Sequence, residues 1–489
     1  MKKKVLFGFA LLCSAFLTNV MAAEPSVDPA TYAPRGANGE LTLTSKWLYS
    51  NVLNNYNLAT DLIAPAATAR GMAVKDGKML FIDRTNKQIV VVNGTTGLKE
   101  TPIKLADNVF KYLGRNKANT QDSLIYAGTL QYNDIKTDNA GNVLVGNLYE
   151  ASASNPNQRF QIWKIDLTTG NGTVVIDDYL SRLYPSATST TLRFDAFGVW
   201  GDVTKSAIIM AANAKAMEVY KWNISNGVVS GDPVLIELDN ITEGTYLTGK
   251  ANPGSAPQVF PLDENYFYLD GNETYPTLID NEGTVIDGFY AKPSAIKDSV
   301  TAPATDPKTI WTMNQGHNGV VEFQMGDNYF LLMAASNTVG VPVSTFRLFK
   351  FADAGKAFTG LTCLWTFPQA GMGAASNSYR TAMPSVEVSG NTAKMYVYTG
   401  ENGYGMYEMT VANTPVDQVF DNNAVAVTVS GKTINLSEMV STINVYNYAG
   451  QLIARDSKVS SVDIDASGLY IVKATTVNGI TAVHKVVIK

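Results

Sequence analysis

A chain of 489 residues with 45% hydrophobic side chains has ample material for a core and is long enough for a large repeat unit plus a further domain. Only 17% of residues are charged, the net charge is -5, and no Lys/Arg stripe is visible, which argues against nucleic acid as a partner. Abundant Gly (39) and Tyr (24), with Asn-rich turns, give a β-rich, extracellular-looking balance.

Residues 1–22 read as an export signal. Lys2-Lys3-Lys4 is basic, Val5 to Leu17 is apolar, and Val20-Met21-Ala22 precedes a cut that leaves Ala23 first. The apolar run is shorter than the roughly 20 residues of a membrane span. Cys13 lacks the small residue expected before a lipidated cysteine. Signal removal leaves Cys363 alone, so no disulfide forms within the mature chain and stability comes from packing. Residues 23–39 form a Pro- and Ala-rich flexible leader.

From Arg70 the chain repeats. Arg70, Tyr132, Arg193, Ser255, His317 and Arg380 are separated by 62, 61, 62, 62 and 63 residues. Each opens a passage of short strands and turns, the first being Gly71 to Val74, the Lys75-Asp76-Gly77-Lys78 turn, Met79 to Ile82 and Gln88 to Val92. Even spacing of such units marks a repeat architecture, and about four short strands per unit describe a β-propeller. The sixth unit is one strand short. Glu40 to Trp47 alternates polar and apolar residues and supplies the missing outer strand, closing the ring without an open edge. The fold expected is all-β, a six-bladed β-propeller over residues 40–414 closed by its N-terminal strand. Seven blades is the alternative, since Asn108 to Thr129 and Ala291 to Trp311 have room for extra strands. After an Ala412 to Pro415 linker, short alternating strands over residues 415–489 predict a small antiparallel β-sandwich.

That last stretch carries Ile443-Asn444-Val445-Tyr446-Asn447, the Gly450 turn, Gly468-Leu469-Tyr470-Ile471-Val472-Lys473 and Lys485-Val486-Val487-Ile488. With these features it resembles the C-terminal sorting domain of the type IX secretion route in Bacteroidetes. The resemblance implies secretion or surface-attachment machinery as a partner. It also implies an exported protein of the periplasm, outer-membrane surface or extracellular space. The propeller portion resembles uncharacterised propeller families of gut and oral Bacteroidetes, and it carries over no catalytic residue. Asp122-Ser123-Leu124 and Asp298-Ser299-Val300 fit the short O-glycosylation pattern of that phylum.

No metalloprotease helix motif, Gly-rich phosphate loop or serine elbow is present, and two histidines, His317 and His484, cannot build a multi-histidine metal site. No metal is assigned and the cofactor stays open. The Asp270-Gly271-Asn272-Glu273 and Asp280-Asn281-Glu282-Gly283 stretches read as hairpin turns rather than calcium loops. The repeat register instead brings Arg70, Tyr132, Arg193, His317 and Arg380 to one end of the channel, with Trp311 beside them. Clustered arginines need matching acids, for which Asp134, Asp195 and Glu322 are at hand, or an anionic ligand held by guanidinium contacts. The function expected is a secreted or cell-surface protein that binds a glycan or protein ligand in nutrient capture, an anionic glycan being the ligand that suits the arginines. Catalysis is the lesser expectation, and the alternative is a polysaccharide-degrading propeller enzyme, lyase or glycosidase.

Overall fold

The computed structural model describes residues 35, 40–56, 70–115, 122–126, 130–151, 158–180, 192–238, 252–271, 274–291, 309–310, 319–335, 345–351, 361–368, 371–373, 381–411 and 422–489. The chain divides after Thr410 into two compact units. Among the described residues no helix is long and apolar enough to cross a membrane.

The first unit is a propeller of antiparallel sheets, each entered by its first strand and leaving by its last. Blade one is Met72–Lys75, Lys78–Asp83, Gln88–Asn93 and Ile103–Lys104. Its first turn has Asp76 and Gly77 at φ 51° and 70°, the doubly left-handed pair that suits a two-residue hairpin. Blade two is Leu130–Thr137, Val143–Ala151, Phe160–Ile165 and Gly172–Asp178, with Leu192–Phe194 added beside Val143–Ala151. Blade three is Gly198–Gly201, Ser206–Ala212, Glu218–Ser225 and Val234–Glu237. Blade four is Gln258–Pro261, Tyr266–Gly271, Thr274–Asp280 and Val285–Gly288. Blade five is Val320–Met325, Asn328–Ala335, Thr345–Lys350 and Thr362–Phe367.

Blade six is Ala382–Ser389, Thr392–Thr399 and Gly403–Val411, and its outer strand is Leu41–Ser50 from the other end of the unit. Trp47, 6% exposed, donates its indole N–H to Gly94 O at 2.8 Å, and Tyr404 donates to Gly97 O at 3.1 Å. The closing strand is thereby tied to blade one as well as blade six. Apolar clusters lie between blades. One joins Trp47, Tyr396, Tyr398 and Tyr404 to Met79 and Phe81, and the next joins Leu80, Ile82 and Ile89 to Ile135, Val145 and Trp163. Among the described residues there is no seventh four-stranded sheet. Of the two passages with room for one, the first holds a separate hairpin, Lys111–Arg115 with Asp122–Tyr126. The second holds a parallel pair, Tyr290–Ala291 with Thr309–Ile310.

Three glycines stand where each odd blade begins its first strand. A Cβ on Gly71 would fall 2.0 Å from Asp134 Oδ1 of blade two. On Gly198 it would fall 2.1 Å from Val259 O of blade four, and on Gly319 2.4 Å from Ala382 O of blade six. The inner strands of blades one and two, three and four, and five and six therefore approach more closely than any side chain allows.

The second unit is one five-stranded antiparallel sheet, Val427–Ser430, Thr433–Asn447, Leu452–Asp463, Gly468–Thr475 and Thr481–Ile488. The expected sandwich is realised by curling this single sheet. The 15-residue strand Thr433–Asn447 pairs with Val427–Ser430 along its first half and with Gly468–Thr475 along its second, with a register shift between Asn435 and Val440. Such a shift bends a strand, and the concave face buries Ile434, Val440, Ile443, Val445 and Val472.

Candidate functional site

All first strands begin at the same end of the propeller, and in an up-and-down sheet the loop between second and third strands returns to that end. Arg70 precedes the first strand of blade one, and Arg193 and Asp195 precede that of blade three. The two arginines meet on Asp195. Arg193 Nε and Nη2 donate to its two oxygens at 2.8 and 2.7 Å, and Arg70 Nη1 donates to Oδ1 at 3.2 Å. Asp195 is 4% exposed, and one carboxylate so buried serves both guanidinium groups. The hydrogen bond to Asp195 raises the Arg193 pKa further above its ordinary value, so this side chain is always charged. Asp195 is the acid the arginine cluster demanded. Of the other two acids considered, Asp134 accepts from Lys136 Nζ at 3.1 Å and Glu322 accepts from the Tyr268 hydroxyl at 2.9 Å.

Asp195 is positioned through its backbone. Asn133 Nδ2 donates to Asp195 O at 2.6 Å, while Asn133 Oδ1 accepts from Arg84 Nη2 at 2.6 Å. Asn133 reaches across because the first strand of blade two is bulged. Leu130 pairs with Leu148 but Asp134 pairs with Gly146, so extra residues are accommodated there, and Tyr132 sits at φ 56°. This bulge also corrects the reading of Tyr132 as a ligand contact. Its ring is turned into the seam between blades one and two, 2% exposed, edge-on to Phe110 at 5.0 Å, with its hydroxyl on Val109 O. His317, Arg380 and Trp311 lie outside the described residues. Trp365 is core, 2% exposed.

Beside Arg193 is an open cavity of about 230 Å³, lined by Glu150, Arg193, Ala214, Lys215 and Ser255. Glu150 stands near the end of the second strand of blade two, and its Oε2 is 3.4 Å from Arg193 Nη1. Lys215 comes from the loop after the second strand of blade three, held at φ 62° with its N–H on Gly254 O at 2.8 Å. Neither residue was legible from the repeat spacing, because second-strand loops differ between blades in length and composition. Counting Arg70, Arg193 and Lys215 against Asp195 and Glu150 leaves one positive charge.

Further along the channel a second cavity, about 370 Å³, is lined by the first strands of all six blades, Trp200, Phe260, Phe323, Lys136 and Ser385 among them. Among the described residues no three His, Cys, Asp or Glu side chains come together to hold a metal ion.

No protein-family model and no curated protein matches the chain. Solved structures with a similar fold include the PQQ-bound aldose sugar dehydrogenase of Streptomyces coelicolor, at 12% identity and TM-score 0.35, covering 77% of this chain and 100% of that one. The soluble aldose sugar dehydrogenase of Escherichia coli in its apo form is similar at 7% and 0.37, covering 76% and 99%, and a glucose dehydrogenase at 8% and 0.35, covering 75% and 98%. At these values the likeness is one of fold. The structures matched are dehydrogenases, whereas the sequence expectation placed carbohydrate binding above catalysis and likened the propeller only to uncharacterised families.

Proposed function

We propose that the propeller is an enzyme acting on an acidic carbohydrate, and that its reaction is a lyase-type elimination at the Arg193 cavity. The observation that carries this reading is Arg193 itself. It is a charged fork fixed on Asp195, open to a cavity that also holds Glu150 and Lys215 and has one positive charge to spare. Arg193 binds the substrate carboxylate and draws charge from the carbon beside it. Glu150 accepts the proton from that carbon, the bond from the neighbouring carbon to the bridging oxygen breaks, and Lys215 gives a proton to the departing oxygen. Hydrolysis by paired carboxylates fits less well, because Asp195 is taken up by its two arginines and, among the described residues, Glu150 is the one carboxylate lining the cavity.

The test incubates the full chain with uronate-containing and neutral polysaccharides, following unsaturated product by ultraviolet absorbance and new reducing ends. Arg193→Ala is expected to lower the rate about 10²–10³-fold, the range for removing one transition-state donor, and Glu150→Gln to abolish it. Reducing ends without unsaturated product would replace elimination by hydrolysis, and dye-linked aldose oxidation without either would replace it by redox chemistry. In the same reading the protein is exported through residues 1–22 and the unit from Val411 serves its surface attachment. Cell fractionation of the full chain against one ending at Thr410 checks that, and unchanged surface display of the shortened chain would refute it.

A further inference from the structure

Blade four contains three buried side-chain oxygens that neither the site above nor the fold accounts for, on Gln258, Asp270 and Thr274, and the first two share one face of the sheet. Gln258 opens its first strand, and Asp270 is its register partner on the second. Partners directly opposite in an antiparallel pair project to one face of the sheet. That face is turned toward blade five, because Asp270 accepts a hydrogen bond from the backbone of Gly319, which precedes the first strand of blade five. Asp270 Oδ1 also accepts from Gly271 N at 2.7 Å. Among the described residues its other oxygen, Oδ2, has no partner, and Gln258 Oε1 has none either, although the two residues are 0% and 5% exposed. A buried acceptor without a donor is costly, and a buried carboxylate with no cation is costlier. A single hydrogen between these oxygens removes both faults.

We infer that Asp270 is a neutral carboxylic acid whose Oδ2–H donates to Gln258 Oε1, a proton-dependent bond within blade four that fixes the carboxyl group where it accepts from Gly319 of blade five. Asp134 makes the corresponding contact from blade two to blade three by accepting from Phe197 N at 3.1 Å, but there Lys136 supplies a cation 3.1 Å away. At Asp270 the proton takes the place of that lysine. The groups on the neighbouring strands do not favour ionisation. Gln258 and Phe260 on the first strand and Thr274 and Tyr275 on the third are uncharged. Tyr268, next on the same face, donates to Glu322 of blade five, and Asp287 lies close enough to Tyr268 to raise its pKa further. Burial pushes the Asp270 pKa well above the ordinary 3.8, only partly offset by the two backbone donors. Because the folded-state pKa is raised, the stability contributed is complete below pH 3.8 and is lost as pH rises through the raised value.

The test is infrared spectroscopy and thermal unfolding of the full chain across pH, with Asp270→Asn and Gln258→Leu. The wild type is expected to show a protonated-carboxyl stretch at neutral pH that vanishes in Asp270→Asn and shifts in Gln258→Leu. Asp270→Asn, whose amide donates as the acid does, should unfold with the wild type at low pH and hold its midpoint at alkaline pH where the wild type falls. Absence of the band at neutral pH, or parallel pH profiles, would overturn the inference in favour of an ionised Asp270 accepting from the Gln258 amide. Should Asp270→Asn not fold, the band and its shift in Gln258→Leu decide alone.

Discussion

Replacing Asp195 by Asn tests the centre of the candidate site with little change of shape. The carboxylate is 4% exposed and serves Arg70, 11% exposed, and Arg193, 34% exposed. Breaking a buried ion pair from one side typically costs about 3–5 kcal/mol, because the surviving charge is left without a partner. Here Arg193 relaxes toward water and still has Glu150 at 3.4 Å, so the larger part of the loss falls on Arg70. The expected loss is therefore at the low end, about 3 kcal/mol. Urea unfolding followed by tryptophan fluorescence measures it. Adding Arg70→Met removes the more deeply buried of the two charges, so the double variant should recover part of the loss, a coupling of about 0.5–3 kcal/mol. Arg193→Met in the same background should recover less. If Asp195→Asn unfolds within about 0.5 kcal/mol of the wild type, as an unremarkable surface change would, then Asp195 is not the shared counter-ion and the fixed position of Arg193 loses its basis.

Trp47→Ala removes a 6%-exposed ring and its bond to Gly94, which should cost about 3–5 kcal/mol in a denaturant titration; an unchanged midpoint would mean that the N-terminal strand does not close the ring. Gly198→Ala places a methyl 2.1 Å from the Val259 carbonyl, backbone that cannot swing aside, and should destabilise by about 1–3 kcal/mol, whereas a fully tolerated alanine would contradict the close approach of blades three and four. Asp134 is raised in pKa chiefly by burial, with Lys136 opposing, so its contribution is complete below pH 3.8 and fades as pH rises through the raised value. Asp134→Asn should therefore flatten the stability profile above that pH, and a profile as steep as the wild type's would contradict it. Burial also raises the Cys363 thiol, so alkylation of the folded chain at neutral pH should be slow and speed up on unfolding; fast labelling of the native state would contradict that.

What could be read from the sequence follows from what a repeat preserves. Each blade is one unit of similar length, so the spacing of Arg70, Arg193 and their partners survives as a period, and the strand missing from blade six points to Leu41–Ser50. A period does not show local register. Tyr132 has the same spacing as Arg70 and Arg193, yet extra residues between Leu130 and Asp134 turn its ring into the core and put Asn133 on Asp195 instead. Alternation in the last unit likewise suits a sandwich or a curled sheet, and the bend between Asn435 and Val440 decides between them.

One regularity was visible in the sequence but acquires meaning only with the sheets in place. Gly71, Gly198 and Gly319 recur at about two repeat lengths, and they join blades one to two, three to four and five to six by backbone contact. Among the described residues the remaining seams have no such glycine at the start of a first strand, and each carries a buried or half-buried acid that accepts from a backbone N–H across the seam. Asp134 reaches Phe197, Asp270 reaches Gly319, and Glu387 of blade six reaches Gly77 of blade one at 3.0 Å. The propeller is thus built from three glycine-joined pairs of blades held to one another by polar clips. Seams of the second kind carry a buried or half-buried acid, whereas in the first kind close backbone contact at the glycine adds to side-chain bonds such as that of Arg84 to Asn133. The Arg193 cavity takes Glu150 and Arg193 from the sheet of blade two, Lys215 from blade three and Ser255 from the approach to blade four, so it opens across one polar seam and one glycine-joined seam.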